Sequence, residues 1–160
     1  MSLRVGLGFD LHRLEEGRPL WLGGVEIPSS KGCIAHSDGD VLIHALCDAL
    51  LGALALGDIG THFPHNDPLY KNKESIFFLR EVNKLLKENH ARIINIDSTI
   101  ILEKPSLKNF KTLMAEKLTS ELGISPHQVS IKAKTHEKVD AIGNEEAIAA
   151  HVVVLLEVEP

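Results

Sequence analysis

The sequence predicts a mixed α/β (α+β) fold in a single domain, a sheet with helices packed on one face. Three observations carry this prediction. Apolar and polar residues alternate with period 2 from Leu3 to His12, a strand signal. A long apolar stretch runs from about Asp38 to Leu56, too long for a strand. Helix-spaced and strand-spaced segments then follow one another to Val158. The 160 residues suit one domain, with residues 1–160 read as a single unit that has no repeat, linker or low-complexity tract.

Leu3, Val5, Leu7, Phe9 and Leu11 alternate with Arg4, Gly6, Gly8, Asp10 and His12, which predicts a half-buried first strand. Leu20, Leu22, Val25 and Ile27 around Gly23-Gly24 read as a hairpin with a two-residue turn, closed by Pro28. Ser37, three residues before Asp40, resembles a capping-box start for a helix over about Asp38–Leu56, stopped by Gly57. That helix is apolar nearly all round, so it is expected to be buried or packed on a partner. Asp58–Asn72 reads as an exposed, movable loop. Glu74–Asn89 is an amphipathic helix, Ile93–Leu102 a strand, and Ser106 is expected to cap a helix to Leu122, ended by Gly123. Val129–Lys134 and Ala147–Val158 complete the strands.

Net charge is −5 and the pI is about 6.0, which removes the basic footprint of a nucleic-acid or anionic-membrane binder. An anionic ligand would need local positive charge from metals or a few placed lysines. Cys33 and Cys47 lack C-x-x-C spacing and are expected to be reduced, buried thiols. Met1–Phe9 has no signal-peptide core, and the apolar run Val41–Leu56 is broken by His44 and Asp48. A soluble cytoplasmic protein is expected, such as one of a bacterial cytosol; a plastid protein trimmed of its transit peptide reads the same way.

Asp10 and His12, two apart on a strand, share a face, with Gly6 and Gly8 expected to leave that face open. Alone the pair is weak, since an exposed polar strand face reads the same way. His44 and Asp48 are the conspicuous polar groups inside the apolar helix; one turn separates Asp40 from His44 and another separates His44 from Asp48, so all three share a side. Burying them unsatisfied is costly. A metal on His44, with Asp40 or Asp48 bonded to its other ring nitrogen, would satisfy them. Asp10, His12 and His44 then form a two-histidine, one-carboxylate set, which suits catalytic zinc with an open position. Fe(II) and Mn(II) accept similar ligands. A further cluster, Lys132-Ala133-Lys134-Thr135-His136-Glu137-Lys138, offers a carboxylate for Mg²⁺ and donors for phosphate, or simply a solvated strand end. Gly6-x-Gly8 is not followed by the glycine a dinucleotide fingerprint needs, and no P-loop is present in the sequence.

Gly8-Phe9-Asp10-Leu11-His12, Ala35-His36-Ser37-Asp38-Gly39-Asp40-Val41, His44-Ala45-Leu46, Asp48-Ala49-Leu50-Leu51-Gly52 and Leu56-Gly57-Asp58-Ile59-Gly60 through Phe63-Pro64 resemble the signature of the 2-C-methyl-D-erythritol 2,4-cyclodiphosphate synthase family. The resemblance extends over essentially the whole chain. It implies a homotrimer with active sites between subunits. It implies zinc, or another divalent transition metal, on Asp10, His12 and His44, and Mg²⁺ or Mn²⁺ on Glu137 with the substrate's diphosphate. The implied reaction cyclises 4-diphosphocytidyl-2-C-methyl-D-erythritol 2-phosphate with release of CMP, a step of non-mevalonate isoprenoid biosynthesis.

By position, the resemblance implies that His36 and Thr135 polarise the reacting phosphates. Asp58 and Gly60 would hold the erythritol hydroxyls. Phe63, Pro64, His65, Asn66 and Asp67 would form a flap. Leu102, Glu103, Lys104, Pro105, Ser106, Leu107 and Lys108, with Ala133 and Lys134, would line a cytidine pocket. Leu11, Ser37, Ile59 and His136 complete the implied contacts, beside the ligands themselves.

The stretch after Glu137 departs from the bacterial pattern, whose glycine- and arginine-containing run resembles Gly-Phe-Thr-Gly-Arg-Gly-Glu-Gly, and looks like the plant-type subgroup. Ala141 and Asn144 stand where that run has a phenylalanine and an arginine that help bind isoprenoid diphosphates on the trimer axis. Such binding is therefore expected to be weak or absent. A zinc-dependent phosphohydrolase and a non-catalytic trimeric metal-binding protein are the competing readings.

Overall fold

Residues 1–159 are described by a computed structural model. In chain order it contains β1 (Ser2–Glu16), β2 (Leu20–Leu22), β3 (Val25–Ile27), β4 (Lys31–Cys33), α1 (Val41–Ala53), α2 (Ile59–His62), α3 (Ser75–Glu88), β5 (Ala91–Ile101), α4 (Lys111–Leu122), β6 (Val129–Lys134), α5 (Asp140–Gly143) and β7 (Ala147–Val158). The main sheet has the order β4-β1-β7-β5-β6. Only the β5–β6 pair is parallel, joined through α4, so the sheet is mixed and the fold α+β as expected. β1 and β7 pair continuously from Ser2↔Val158 to Arg13↔Ala147 and form the spine of the sheet.

The predicted hairpin is the separate β2–β3 ribbon. Gly23 and Gly24 take φ of +58° and +74°, the two positive values that its two-residue turn requires. Asp40, fully buried, accepts hydrogen bonds from Gly23 N, Gly24 N and Ile43 N at 3.0, 2.8 and 3.0 Å. One carboxylate thereby caps α1 and clamps the hairpin to it.

α1 is buried on nearly every side, through Leu42, Ile43, Leu46, Leu50 and Leu51 among others. It lies directly on β1 because two glycines let it. A Cβ on Gly6 would come within 1.8 Å of the Ala49 carbonyl oxygen, and one on Gly8 within 1.7 Å of that of Ala45. The glycine face of β1 is thus filled by a helix, where the sequence suggested an open face. The strand's apolar residues point the other way: Leu3, Val5, Leu7, Phe9 and Leu11 are 50–68 % exposed. With Val153 of β7 they form an apolar outer face on the β1–β7 half of the sheet. Helices α1, α3 and α4 pack against the opposite face, where Ile96, Ile100, Val152 and Val154 belong to the core.

Several boundaries differ from expectation. α1 starts at Val41 with Asp40 as its cap, because Asp40 and not Ser37 reaches the free N–H groups of the first turn. It ends at Ala53, with Ala55 already at φ +58°. α4 starts at Lys111 and not after Ser106, because Leu107 turns into the core first. Its stop at Gly123, φ +71°, is as expected. The loop 58–72 contains α2 and a 3₁₀ turn, Pro68–Tyr70. No helix among the described residues is long and apolar enough to cross a membrane.

Gly8→Ala is expected to destabilise the protein by about 3 kcal/mol, because helix backbone and not a flexible side chain blocks the new methyl. Urea denaturation measures this; an unchanged midpoint would mean that α1 and β1 are less closely packed.

Candidate metal centre

Alternation along β1 places Asp10 and His12 on the same face as Gly6 and Gly8, towards α1. His44 lies in the first turns of α1, just before Ala45, the residue seated over Gly8. The close contact that the glycines permit therefore brings a helix ligand to two strand ligands. Asp10 Oδ2 lies 3.0 Å from His12 Nε2 and 3.0 Å from His44 Nδ1, and the two ring nitrogens are 3.4 Å apart. Among the described residues this is the one cluster of metal-type donors that converges on a single point.

The donor set fits a small divalent cation. Ligands bonded at zinc distances of ~2.0–2.1 Å and spread tetrahedrally sit roughly 3.3 Å apart, close to the observed triangle. Three protein donors leave a position open, as in catalytic sites. Burial raises the Asp10 pKa, but hydrogen bonds and charge from His12 and His44 outweigh it and hold the carboxyl at about 2. Burial lowers the His44 pKa, but the bond to Asp10 and the charges of Asp10, Asp40 and Asp38 outweigh it, so the ring binds a proton more tightly than a free histidine.

The other ring nitrogen of His44 meets neither Asp40 nor Asp48, which corrects the sequence expectation. Asp40 is spent on the α1 cap and the hairpin, and Asp48 accepts from Ile59 N at 2.7 Å. Ser75 Oγ lies 2.8 Å from His44 Nε2 instead, and itself bonds Asp38. A serine at the start of an amphipathic helix gives no sequence signal for this role. Its one hint is a hydroxyl on the buried side of α3.

The cluster opens into a cavity of about 1050 Å³. Of the residues expected to meet substrate, Asp10, His12, His36, Ser37, Ile59, Gly60, Phe63, His65, Asn66 and Asp67 line it, as does Asp48. The sequence reading missed Arg18, Ile34, Tyr70, Lys71, Asn72 and Phe78 on its wall. Phe63, Tyr70 and Phe78 pack there in T-shaped and tilted pairs, with ring centroids 4.9–6.1 Å apart. Asp58 is not on this wall; it caps α2 through Thr61 N at 2.8 Å. Leu11 lies on the outer sheet face.

The remaining expected residues are elsewhere on the chain. Lys104, Pro105 and Ser106 line a second pocket of about 340 Å³ with Ser29, Ser30, Lys31 and Glu145. Leu102 and Leu107 are buried in the core of this chain. Glu103 accepts from His136 N at 3.0 Å. Thr135 and Glu137 are exposed beyond the end of β6, Glu137 with φ +51°. One chain by itself does not bring Thr135 or Glu137 to the wall of the large cavity. Both cysteines are buried and free, and burial with the charges of Asp40, Asp10 and Asp38 pushes the Cys33 thiol up to about 12, so it supplies no thiolate to the nearby cluster.

A cation entering the cluster must displace the proton held on His44. Zinc affinity is therefore expected to rise about tenfold or more per pH unit below the raised His44 pKa, since both histidines bind a cation only when neutral, and to level off above it. Chelator-competition titrations from pH 5.5 to 8.5 check this, and a flat profile would contradict it.

The sequence pattern of the YgbB family matches residues 3–157. The chloroplastic 2-C-methyl-D-erythritol 2,4-cyclodiphosphate synthase of Oryza sativa subsp. japonica is 53 % identical over 156 residues, 98 % of this chain and 70 % of that protein. Among solved structures, the bifunctional IspDF of Campylobacter jejuni superposes with a TM-score of 0.94 at 40 % identity, over 99 % of this chain but 43 % of that one. A 2C-methyl-D-erythritol-2,4-cyclodiphosphate synthase in its CDP-bound form superposes with a TM-score of 0.90 at 40 % identity, over 96 % of this chain and all of that one. With the family pattern spanning nearly its full length, a relative sharing half its residues, and solved structures of the same fold at 40 % identity, this chain belongs to the YgbB family.

Proposed function

We propose that this protein is an enzyme that converts 4-diphosphocytidyl-2-C-methyl-D-erythritol 2-phosphate to 2-C-methyl-D-erythritol 2,4-cyclodiphosphate and CMP, a phosphorus–oxygen lyase of isoprenoid biosynthesis. The observation that carries this reading is the Asp10, His12 and His44 triangle at the wall of a large cavity, in a chain so similar to synthases of that name.

In the proposed reaction an oxygen of the substrate's own 2-phosphate attacks the β-phosphorus. The bond from that phosphorus to the bridging oxygen breaks, and CMP leaves with that oxygen. No protein nucleophile is required, so the chain's task is to position groups and neutralise charge. A cation held by Asp10, His12 and His44, Zn²⁺ or a similar metal, would polarise the phosphate oxygens, and Mg²⁺ or Mn²⁺ on Glu137 would offset the diphosphate charge. His36, exposed at the cavity wall, is assigned to the reacting phosphates together with Thr135. Asp58 and Gly60, at the α2 turn, are assigned to the erythritol hydroxyls. Phe63–Asp67 covers them.

The assembly is proposed to be a homotrimer with each site shared between neighbours. Two features support this. Leu3, Val5, Leu7, Phe9 and Leu11 form a row of exposed apolar side chains, which soluble monomers rarely present. Within one chain, Thr135, Glu137 and Lys104–Ser106 lie apart from the large cavity. A neighbouring copy would supply its Leu102–Lys108 segment with Ala133 and Lys134 to the cytidine side of the site, and Thr135 and Glu137 to the phosphates. Ala141 and Asn144 are proposed to leave the trimer axis poorly suited to isoprenoid diphosphates.

Turnover of the cytidyl-erythritol 2-phosphate by zinc-loaded protein with Mg²⁺, followed by phosphorus NMR, is expected to give CMP and a cyclic diphosphate. An uncyclised product would point to a phosphohydrolase. His44→Ala is expected to lower kcat by about a hundredfold or more, since a metal's charge stabilisation is worth several kcal/mol. If the trimer persists in that variant while turnover falls, metal does not serve assembly alone. Leu7→Asp is expected to yield monomers by light scattering, because it charges the centre of the outer apolar row. A Leu7→Asp trimer would mean that this face is not the interface.

A further inference from the structure

Ser75, the first residue of α3, is fully buried, and its hydroxyl lies beside the part-buried ring of His44. A hydroxyl in such a place is costly unless it is bonded. Ser75 Oγ lies 2.8 Å from His44 Nε2 and donates to Asp38 Oδ1, while Ser75 N donates to Asp38 Oδ2 at 2.9 Å. Asp38 also accepts from Asp40 N at 3.1 Å, which ties it to the cap of α1. Glu74, the cap residue of α3, makes no side-chain capping bond, so Asp38 takes that place from a distant segment.

The bonds have one consistent direction. His44 Nδ1 faces Asp10 and His12 and must be bare to hold a cation. The ring hydrogen then sits on Nε2 and donates to Ser75 Oγ, whose own hydrogen goes to Asp38. Ser37 Oγ, 3.5 Å from the same nitrogen, is too far to replace Ser75.

We propose that Ser75 and Asp38 form a relay that positions the His44 ring and fixes its tautomer, and so sets the affinity of the cation site. This rests on the metal-site reading above. Ser75 is a positioning residue: it touches neither substrate nor cation and acts through His44. Partners of this kind commonly change metal affinity by about 10–100-fold when removed. The backbone bond from Ser75 N to Asp38 survives loss of the hydroxyl, so anchoring of α3 and positioning of His44 can be separated.

The test uses the full-length protein, with Zn²⁺ affinity measured by chelator competition for the unsubstituted chain, Ser75→Ala, Ser75→Thr and Asp38→Asn. Ser75→Ala is expected to bind Zn²⁺ about 10–100-fold more weakly with its melting temperature little changed, Asp38→Asn to weaken binding as well, and Ser75→Thr to restore most of the affinity. Ser75→Ala within twofold of the unsubstituted chain overturns the proposal. Should that variant fail to fold, Asp38→Asn decides: unchanged affinity overturns the relay. Nitrogen-15 NMR of the zinc-loaded unsubstituted protein is expected to show His44 metallated on Nδ1 and protonated on Nε2; the reverse assignment also overturns it. An unsubstituted chain that holds no Zn²⁺ at all would instead remove the metal-site reading on which the relay depends.

Discussion

The contact between α1 and the backbone of β1 is the constraint on which the site depends. Gly6 and Gly8 bring the carbonyls of Ala45 and Ala49 to where a side chain would otherwise stand. Without that approach, an imidazole on a helix and two ligands on a strand would not converge to within 3.4 Å. The same contact buries one face of β1 with almost no side chain on it and turns the strand's apolar residues outward. Metal-type donors on one face and an exposed apolar row on the other are thus two consequences of one glycine pattern.

Around the cluster, acidic groups are numerous and nearly all are committed. Asp40 clamps α1 to the β2–β3 turn, Asp48 holds the start of α2, and Asp38 holds the start of α3. Each accepts backbone N–H groups that would otherwise be unsatisfied at helix ends or turns. Burial pushes the Asp40 and Asp48 carboxyls up, against the pull of those donors. Asp10 differs: its partners are two imidazoles, and its carboxyl is held low at about 2. The structural carboxylates set the scaffold, and one carboxylate is left for a cation. In a chain of net charge −5, the local positive charge on offer at this cavity is that of basic side chains such as Arg18 and Lys71 and of any cation the donor cluster holds.

The segment after β6 has a different character. Glu137, Lys138, Asp140 and Glu145 all take φ between +51° and +63°, values that side-chain-bearing residues seldom adopt. Each costs of order 1 kcal/mol and persists because its surroundings hold it. Asp140 accepts from Ile142 N and pairs with His136 at 2.8 Å, and Glu145 is pinned by Lys104 at 3.1 Å and by Lys31 through its carbonyl at 2.8 Å. Glycine would sit in this backbone more easily, so the bonds to Asp140 and Glu145 hold a conformation that their own side chains disfavour.

The sequence by itself determined the elements whose signals are local. Period 2 marks β1, Gly23-Gly24 marks the hairpin turn, the apolar run marks α1, and Gly123 marks the end of α4. It also marked Asp10, His12 and His44, because a histidine in an apolar helix and an Asp-x-His on a strand each ask for a partner. What it could not decide is which face of β1 is buried, since period 2 separates two faces without saying which one a helix will cover. Nor could it name the partner of His44 Nε2. Ser75 is 31 residues away in sequence and meets that ring only because α3 packs beside α1. Asp40 and Asp48 stood at the right helical spacing, but the bare N–H groups of a turn and two helix starts claimed them first. Only the tertiary structure allocates hydrogen bonds among distant groups, because that allocation depends on which backbone ends come to lie beside each carboxylate.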